Sequence, residues 1–598
     1  MKTTHVYGLD ALRGIAILGV IFYHLMPGRV PGGFLGVNMF FVLSGYLIYQ
    51  TSVWEIQRGE YSVINFYRKR CRRILPNLCA MVCVVIVLMI VFFPEVANGK
   101  ICEVISIFGG YNNLWQMHQK ASYFARIGQQ SPFTHLWAMA IEMQFYFIWP
   151  FLFALMRKLK KNISWKGVKL LVLIGVVIGG IWMSILFKSC QDVSRLYYGT
   201  DTRIFALMLG IFTAMVQKEF TLFLKSRLSL WVRNGLLLLT LGIFVSAYFW
   251  VEGQMDYVYL GGLFIFSMIC AVIILLLSCS SFKEILENSL LTGIGKISYE
   301  LYLWMYPVIF LFAYQKKNYG VISWGVQLTL IFIIAYTQYL IKRYFISKKN
   351  TYRQEKYNLA RYIVCNFVMT FFVFVGGMMI SKQPWFDFTN QTQKKVNAMY
   401  QTNSATNKVS TMNKGSKIAN MEENVSGNLI TESTSLRVED VKVTAIGDSV
   451  LLGADSNVEK QIPNCIVDAK ESRQVSKARI VVEELKEKEE LGDIVIIALG
   501  TNGTFSAMVG EKLIDAIGQE RQIYWVTVFG QRLQWQEDSN HMIWSMEKKY
   551  SNVHVIDWAA EANEHSEWFL EDGVHLTESG CEAYAQLLSA SIFPNKGS

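Results

Sequence analysis

Three short segments near the carboxyl end of the chain carry residues suited to acyl transfer. Ser449 follows a run of β-type residues and is a weak nucleophile that needs a general base. His575 can supply that base, and Asp572, three residues earlier, can orient the imidazole because one turn brings the two side chains together. Asn502 follows another apolar run and can donate a hydrogen bond to a developing oxyanion, together with the backbone N–H of Ser449. The pattern predicts a Ser-His-Asp site that forms or cleaves an acyl ester.

The first half of the chain has ionisable residues inside apolar segments, where a charge is costly and therefore indicates function. Arg13 and His24 are eleven residues apart, so on a helix they share one face, about 16 Å apart along the axis. His135 and Glu142 also share a face, with Tyr146 one turn further on. The sequence leaves two alternatives open: Arg13 can snorkel to the membrane interface, and the second stripe can be an internally paired structural network.

The elements that position these residues follow from hydropathy. The chain has 598 residues, of which 52% are hydrophobic and 17% charged, whereas an average soluble domain has about 25% charged residues. This excludes disorder and a small disulfide scaffold, and it argues against a wholly soluble enzyme. Eleven apolar segments have roughly the length of a membrane-spanning helix, near residues 9–27, 34–52, 78–94, 134–156, 168–188, 203–217, 229–250, 257–279, 297–314, 320–341 and 362–380.

The net charge of +11 divides into two opposite parts, −11 over residues 441–598 and +22 over the rest. The positive charge is concentrated in loops after the second, fourth and tenth apolar segments, at 68–73, 157–161 and 342–349. By the positive-inside rule, these loops and the amino terminus are cytoplasmic. Eleven crossings then place the acidic carboxyl-terminal part outside the cell. The charge thus predicts a multi-pass protein of the cell membrane, in contact with the lipid bilayer, and no nucleic-acid partner.

The chain divides into four parts. Residues 1–345 form a multi-pass α-helical membrane domain, 346–388 a basic cytoplasmic loop and the final transmembrane helix, and 389–440 a flexible polar linker. Residues 441–598 alternate helical stretches with short β-type runs at 441–446, 494–499, 523–528 and 553–556, which predicts an α/β domain with a largely parallel sheet. Cys465 and Cys581 are the only cysteines of this last part, and the sequence leaves open whether they pair.

Residues 441–592 resemble the SGNH, or GDSL-type, esterase and acyltransferase family. The resemblance lies in Gly447-Asp448-Ser449, Gly500-Thr501-Asn502-Gly503 and Asp572-Gly573-Val574-His575, in this order and after strands. It implies a three-layer SGNH-hydrolase-like domain whose nucleophile is Ser449, whose oxyanion residue is Asn502, and whose Asp and His are Asp572 and His575. The family's second motif usually provides a glycine N–H, and the matching stretch here provides that of Ser472 instead.

The first half of the chain resembles the membrane-bound acyltransferase-3 family. The resemblance is carried by the segments Gly8–Gly14 with His24, Phe40–Leu47, Phe66–Pro76, His135–Pro150, Tyr198–Arg203 and Ser298–Pro307. It implies transfer of an acyl group from cytoplasmic acyl-coenzyme A to an extracytoplasmic acceptor.

Carried over residue by residue, Arg13 and His24 are the family's Arg-His motif, Arg70 and Arg73 its RxxR pair, and Glu142 its fourth-segment carboxylate. Guanidinium groups suit the phosphates of coenzyme A, and His24 can meet the thioester as base or electrophilic partner. The family pattern departs here at Ala138, Met143, Met305 or Tyr306, and Lys342–Tyr344.

The order of the two domains resembles that of two-domain peptidoglycan O-acetyltransferases. We therefore expect an O-acetyltransferase that uses acetyl-coenzyme A as donor, with no metal and no tightly bound cofactor. An intermediate acyl carrier at Tyr197 or Tyr198, a serine acyl-enzyme at Ser449, and O6 of N-acetylmuramic acid as acceptor complete the expectation. Two alternatives stay open: the acceptor is a teichoic acid, exopolysaccharide or lipid-linked glycan, or the α/β domain is an esterase or a glycan-binding module.

Overall fold

A computed structural model gives the fold of the protein. It describes residues 8–26, 29–92, 100–118, 131–189, 193–253, 255–287, 289–314, 320–347, 367–368, 371, 441–471, 473–505, 507–530, 533, 535–570 and 572–593. The linker predicted at 389–440 and nearly all of the last apolar segment lie outside these residues. The described parts are a helical domain, residues 8–347, and an α/β domain, residues 441–593.

The helical domain has fourteen α-helices among its described residues. They are α1 (Leu9–Leu25), α2 (Gly36–Gln57), α3 (Val63–Phe92), α4 (Ile101–Phe108), α5 (Asn112–His118), α6 (Trp137–Ser189), α7 (Val193–Tyr198), α8 (Thr200–Arg227), α9 (Leu230–Trp250), α10 (Leu263–Leu277), α11 (Phe282–Glu287), α12 (Leu290–Lys296), α13 (Ser298–Tyr314) and α14 (Gly320–Ser347). Helix α6 joins two predicted apolar segments and departs from helical geometry at Ile163 and Ser164.

Among the described residues, seven helical stretches are long and apolar enough to cross a membrane. Helices α1 and α13, which match two further predicted segments, have 17 residues each. The helical fold and its membrane character agree with the sequence analysis, and the count of eleven spans stays a prediction.

Small residues set the closest helix contacts in this domain. A Cβ on Gly45 of α2 would lie 1.9 Å from the carbonyl oxygen of Leu207 on α8, and one on Gly210 would lie 2.0 Å from that of Val42. Two reciprocal glycines therefore let the backbones of α2 and α8 touch, as small residues do in membrane helix pairs.

The α/β domain has five strands and seven α-helices among its described residues. The strands are β1 (Val443–Gly447), β2 (Cys465–Ala469), β3 (Ile494–Ala498), β4 (Gln522–Val526) and β5 (Val553–Ile556). The helices are α15 (Ser449–Gly453), α16 (Asp455–Gln461), α17 (Val475–Glu487), α18 (Ala507–Ile517), α19 (Gln536–Lys549), α20 (Trp558–Ala562) and α21 (Glu578–Ile592). All four strand pairs are parallel, in the order β2-β1-β3-β4-β5.

Two apolar cores cover the two faces of this sheet. Alternate residues of β3 separate between them: Val495 and Ile497 pack with α17, α18 and α19, whereas Ile496 and Ala498 pack with α16, α20 and α21. The domain is therefore a helix–sheet–helix sandwich, as predicted. The sequence analysis missed β2, an edge strand whose residues are all partly or fully exposed, because such a strand lacks a continuous apolar run.

The two cysteines of the α/β domain do not form a disulfide. Cys465 begins β2 and Cys581 lies on α21, and both are free thiols. The Sγ atom of Cys581 instead lies 3.3 Å from the carbonyl oxygen of Gly453.

Candidate active sites

The three residues predicted to form a hydrolase-type site lie together in the α/β domain. The Nε2 atom of His575 is 3.0 Å from Ser449 Oγ, and its Nδ1 atom is 2.5 Å from Asp572 Oδ2. The side chains of His575 and Asp572 are about one-third exposed. Since the imidazole bridges hydroxyl and carboxylate through its two different nitrogens, it can accept a proton from Ser449 while Asp572 stabilises the resulting imidazolium.

Local structure positions each member of this set. Ser449 begins α15 directly after β1, and Asp448 caps that helix by accepting a hydrogen bond from the Val450 N–H at 3.1 Å. The other two members lie on a tight turn ahead of α21, in which the backbone N–H of His575 donates to Asp572 Oδ1 at 2.9 Å. Gly573 makes that turn with a φ of 69°, a conformation that glycine adopts without strain.

The two carboxyl groups of the site have opposite electrostatic environments. Burial alone would raise the pKa of Asp572, but hydrogen bonds from the His575 side chain and from the backbone of Val574 and His575 hold it below its usual value. Asp448 is completely buried, and this burial raises its pKa to about 6 despite the hydrogen bond from Val450. Asp572 is thus kept ionised beside the imidazole, whereas Asp448 resists ionisation.

The predicted oxyanion residue is buried near these groups. Asn502 follows β3, is 3% exposed, and donates from Nδ2 to the carbonyl oxygen of Arg473 at 3.3 Å. The Asn502 side chain also hydrogen-bonds the buried carboxyl group of Asp448, next to Ser449. Ser472, the other predicted oxyanion donor, lies outside the described residues.

Arg473 links three parts of the α/β site and was not singled out from the sequence. Its guanidinium donates to the carbonyl oxygen of Gly447 at 3.2 Å and to Asp468 Oδ1 at 2.5 Å, while its own carbonyl accepts from Asn502. It therefore ties the ends of β1 and β2 to the oxyanion residue. The sequence does not indicate this role, because Arg473 is one of several basic residues in a charged stretch.

In the helical domain, two of the three predicted arginines line one cavity. Arg13 on α1 and Arg73 on α3 face a cavity of about 220 Å³ at the end of the helices where the basic loops lie. Arg13 also forms an ion pair of 2.7 Å with Asp10. Arg70, one turn before Arg73 on α3, is not among the lining residues, and its guanidinium lies 5.1 Å from the centre of the Tyr146 ring.

Glu142 is held by hydroxyl donors from two helices. Ser44 on α2 donates to its Oε1 atom at 2.6 Å, and Tyr146 donates to its Oε2 atom at 3.2 Å. Of the predicted stripe, Glu142 and Tyr146 thus contact each other on α6, with Ser44 as a partner from a second helix, whereas His135 lies in the 3₁₀ turn Thr134–Leu136 ahead of α6. Ser44 lies in the Phe40–Leu47 segment but was not selected, because serine is common in helix contacts.

Both buried histidines contact the same tyrosine. Tyr306 on α13 lies with its ring centre 5.0 Å from that of His24 and 5.4 Å from that of His135. His24 and His135 are 6% and 2% exposed. Arg13 and His24 both approach α13, at Ser298–Glu300 and at Tyr306 respectively, in agreement with the shared face predicted for α1.

Tyr197 and Tyr198 are fully buried at the opposite end of the domain from the basic loops. The Trp137 ring lies 4.6 Å from Tyr197 and 5.7 Å from Tyr198, and the Arg203 guanidinium lies 4.5 Å above the Tyr197 ring. Asn113 fixes the backbone here by donating to the carbonyl oxygen of Tyr198 at 3.0 Å. Both tyrosines thus pack against aromatic side chains, and a hydrogen bond from Asn113 fixes the backbone beside them.

These contacts form two groups in the helical domain. Arg70 contacts the Tyr146 ring, whose hydroxyl donates to Glu142, and Tyr306 contacts both histidines. Within the described ranges, no group of three His, Cys, Asp or Glu side chains could hold a metal ion.

An apolar helical domain with buried Arg, His and Glu, followed by an α/β domain with a Ser-His-Asp set, defines a membrane-bound enzyme of acyl transfer. Comparison with known proteins agrees with this class. The family model described as "Acyltransferase domain" matches residues 6–343, more than half of the chain. The chain belongs to this acyltransferase family and is an O-acetyltransferase enzyme.

Relatives match along nearly the whole chain. YrhL of Bacillus subtilis is 31% identical over 98% of this chain and 99% of its own length. The O-acetyltransferase OatA of Staphylococcus aureus is 30% identical over 97% of this chain and 95% of its own, and the peptidoglycan O-acetyltransferase OatA of Listeria monocytogenes is 29% identical over 98% of both.

A solved structure also matches. It is the catalytic carboxyl-terminal domain of peptidoglycan O-acetyltransferase A from Streptococcus pneumoniae, carrying a methylsulfonyl adduct. It covers 25% of this chain and 90% of its own, with 23% sequence identity and a TM-score of 0.24.

Proposed function

We propose that this protein O-acetylates peptidoglycan, with acetyl-coenzyme A as donor and Ser449 as the residue that carries the acetyl group to the acceptor. The observation that supports this most directly is the bridge of His575 between Ser449 and Asp572, at 3.0 and 2.5 Å. It sits in a chain whose first 343 residues match an acyltransferase family.

The reaction begins at the basic, cytoplasmic end of the helical domain. Arg13, Arg70 and Arg73 bind the phosphates of acetyl-coenzyme A, because guanidinium forks suit phosphate oxygens. His24 lies about 16 Å further along α1, where the extended pantetheine arm brings the thioester. There it takes the proton of a carrier tyrosine hydroxyl as that oxygen attacks the thioester carbonyl; the carbon–sulfur bond breaks, and the proton passes to the departing thiolate of coenzyme A. Glu142 is the nearby carboxylate of this path.

The acetyl group then leaves the membrane domain through a carrier at Tyr197 or Tyr198. Both phenols lie at the end of the domain away from the basic loops, in contact with Trp137. A tyrosyl ester is an activated donor, because a phenolate is a better leaving group than a sugar alkoxide.

The outer half of the reaction takes place at Ser449, in an extracytoplasmic α/β domain. As Ser449 Oγ attacks the acetyl carbon, its proton moves to His575 Nε2, the ester bond to the carrier breaks, and the proton passes to the leaving oxygen. Asn502, together with Ser472 and the backbone N–H of Ser449, stabilises the oxyanion. In the second half, His575 takes the proton of the acceptor hydroxyl, which attacks the acetyl-serine and regenerates Ser449.

The relatives support the choice of acceptor. The Listeria monocytogenes protein, 98% of whose length this chain matches, is named a peptidoglycan O-acetyltransferase. We propose O6 of N-acetylmuramic acid, a primary hydroxyl of the glycan, as the acceptor.

The test uses the full chain in proteoliposomes, supplied with acetyl-coenzyme A labelled in the acetyl group and with peptidoglycan fragments outside. We expect label at O6 of N-acetylmuramic acid by mass spectrometry, and none with Ser449→Ala. Ser456→Ala, which changes an exposed serine on α16, is the matched control and should retain full transfer.

Other outcomes would separate the alternatives. Release of labelled acetate to water without sugar labelling would identify the α/β domain as an esterase. Labelling of teichoic acid or exopolysaccharide in place of peptidoglycan would change the acceptor, and unchanged transfer by Ser449→Ala would exclude the acyl-serine step.

A further inference from the structure

The cavity at the basic end of the helical domain contains more positive charge than the sequence motifs account for. Four cations line it: Arg13, Arg73, Lys296 and Lys342. Two acids, Asp10 and Glu300, line it as well. The two lysines are on α12 and α14, outside the segments that carry the predicted donor residues, and they leave the lining with an excess of two positive charges.

Lys342 is held in place by a buried carboxylate. Its Nζ atom lies 3.0 Å from Glu300 Oε1, which also accepts a hydrogen bond from Asn77 Nδ2 at 2.8 Å. The Glu300 side chain is 1% exposed, whereas that of Lys342 is 24% exposed. The carboxylate is thus fixed by a second helix, and it holds the ammonium group at the cavity wall while leaving part of it open to a ligand.

Such an amine loses little freedom when it binds an anion. A free lysine side chain gives up considerable rotamer entropy when it is fixed, and here the ion pair to Glu300 has already fixed it. The ammonium group has three hydrogens and can hydrogen-bond a second oxygen without leaving the carboxylate. The positioned and partly exposed ammonium group of Lys342 therefore favours binding of a multiply charged anion from the side of the cavity.

The position of the cavity indicates which part of a ligand it receives. Arg13 faces the cavity and stands eleven residues before His24, so the two ends of a bound donor are about 16 Å apart. A ligand that spans them has a polyanionic end, a long uncharged arm and a reactive end. The cavity of about 220 Å³ accommodates phosphate groups but not a whole coenzyme.

We infer that this cavity is the phosphate subsite of the acyl donor and that Lys296 and Lys342 bind the donor's phosphates alongside Arg13 and Arg73. The inference rests on the proposed donor, acetyl-coenzyme A, and assigns to α12 and α14 the closing side of the donor site. Lys296 and Lys342 are thus donor-binding residues that the arginine motifs do not include.

The experiment measures binding of three probes to the purified full chain: coenzyme A, 3′-dephospho-coenzyme A and pantetheine. In the wild type, the dissociation constant should rise in that order as phosphates are removed. Lys342→Met and Lys296→Met should each raise the dissociation constant of coenzyme A about tenfold, the effect of one charge-assisted contact, and leave that of pantetheine unchanged. The dependence of coenzyme A binding on salt should also become shallower.

Two further variants make the result specific. Lys342→Arg keeps the charge and should retain coenzyme A binding within about threefold of the wild type. Lys225→Met removes an exposed lysine at the same end of the protein, on α8 and outside the cavity lining, and should bind all three probes like the wild type.

The outcomes separate this inference from the proposed function. If the wild type binds coenzyme A more tightly than pantetheine but Lys342→Met and Lys296→Met leave that ratio unchanged, the lysine subsite is wrong and the donor assignment stands. Equal losses for pantetheine and coenzyme A would also overturn it, since they would report a general structural defect. If the wild type binds neither form of coenzyme A, the donor assignment fails and the subsite with it.

Discussion

The Nε2 atom of His575 lies 3.0 Å from the Oγ atom of Ser449, although 126 residues separate the two in the chain. The contact joins the start of α15, at the end of β1, to the turn before α21. A parallel sheet makes this possible because its strands all end at one edge, where their loops converge.

Asp572→Asn tests whether this geometry performs the chemistry. The amide keeps the shape of the side chain but cannot stabilise an imidazolium, and it favours the wrong ring tautomer. We expect kcat for acetyl transfer to fall about 10³–10⁴-fold, with binding of the donor unchanged. A loss of less than tenfold in a steady-state assay of the full chain would show that His575 works without its carboxylate.

Arg473→Lys tests the link between β1, β2 and the oxyanion residue. Lysine cannot reach the Gly447 carbonyl and the Asp468 carboxylate together, so we expect kcat to fall about 10–100-fold, which is the scale of a misplaced catalytic group. Arg479→Lys on α17 is the control, because Arg479 pairs with Glu483 at the surface. Equal kinetics of the two variants would refute a role for Arg473 in positioning.

Asp448→Asn tests the buried carboxyl group through its pH dependence. Its pKa is raised in the folded state to about 6, so the folded domain binds the proton more tightly than the unfolded chain does. Below about pH 4, Asp448 is protonated in both states and does not lower the free energy of unfolding of the wild type. As the pH rises through 6, that free energy falls by about 3 kcal/mol, since each pKa unit corresponds to about 1.36 kcal/mol. Asparagine cannot ionise and escapes this loss.

We therefore expect the stability of Asp448→Asn, relative to the wild type, to improve by about 3 kcal/mol between pH 4 and pH 7. Urea unfolding of a fragment of residues 441–598 at both pH values gives the difference. A difference between the two proteins that does not change with pH would mean that Asp448 ionises normally.

Gly45→Ala tests the contact between α2 and α8. The added Cβ would meet the carbonyl oxygen of Leu207, which is backbone and cannot move aside without separating the helices. Overpacking of this kind costs about 1–3 kcal/mol, and we expect a lower thermal midpoint of the full chain in detergent. Gly235→Ala on α9 is the control, because its Cβ would meet nothing within 4 Å, and it should be neutral or stabilising.

Much of the architecture can be read from local sequence. The apolar segments and the alternating runs predict a helical membrane domain and a parallel α/β domain because hydrophobic periodicity is a local property. The strand at Val553–Ile556 has the bounds that the sequence predicts. The sequence does not predict the edge strand β2, because the stability of this strand comes from pairing with β1 rather than from its own apolar residues.

The sequence by itself determined the residue types that can do chemistry, namely Ser449, Asp572 and His575 in one domain and Arg13 and His24 in the other. Only the tertiary structure decided their partners. Ser44 reaches Glu142 from another helix, Tyr306 stands between two histidines, and Lys342 meets Glu300 across 42 residues. Hydrogen bonds and ion pairs depend on distances of a few ångströms between elements far apart in the chain, and no local pattern contains those distances.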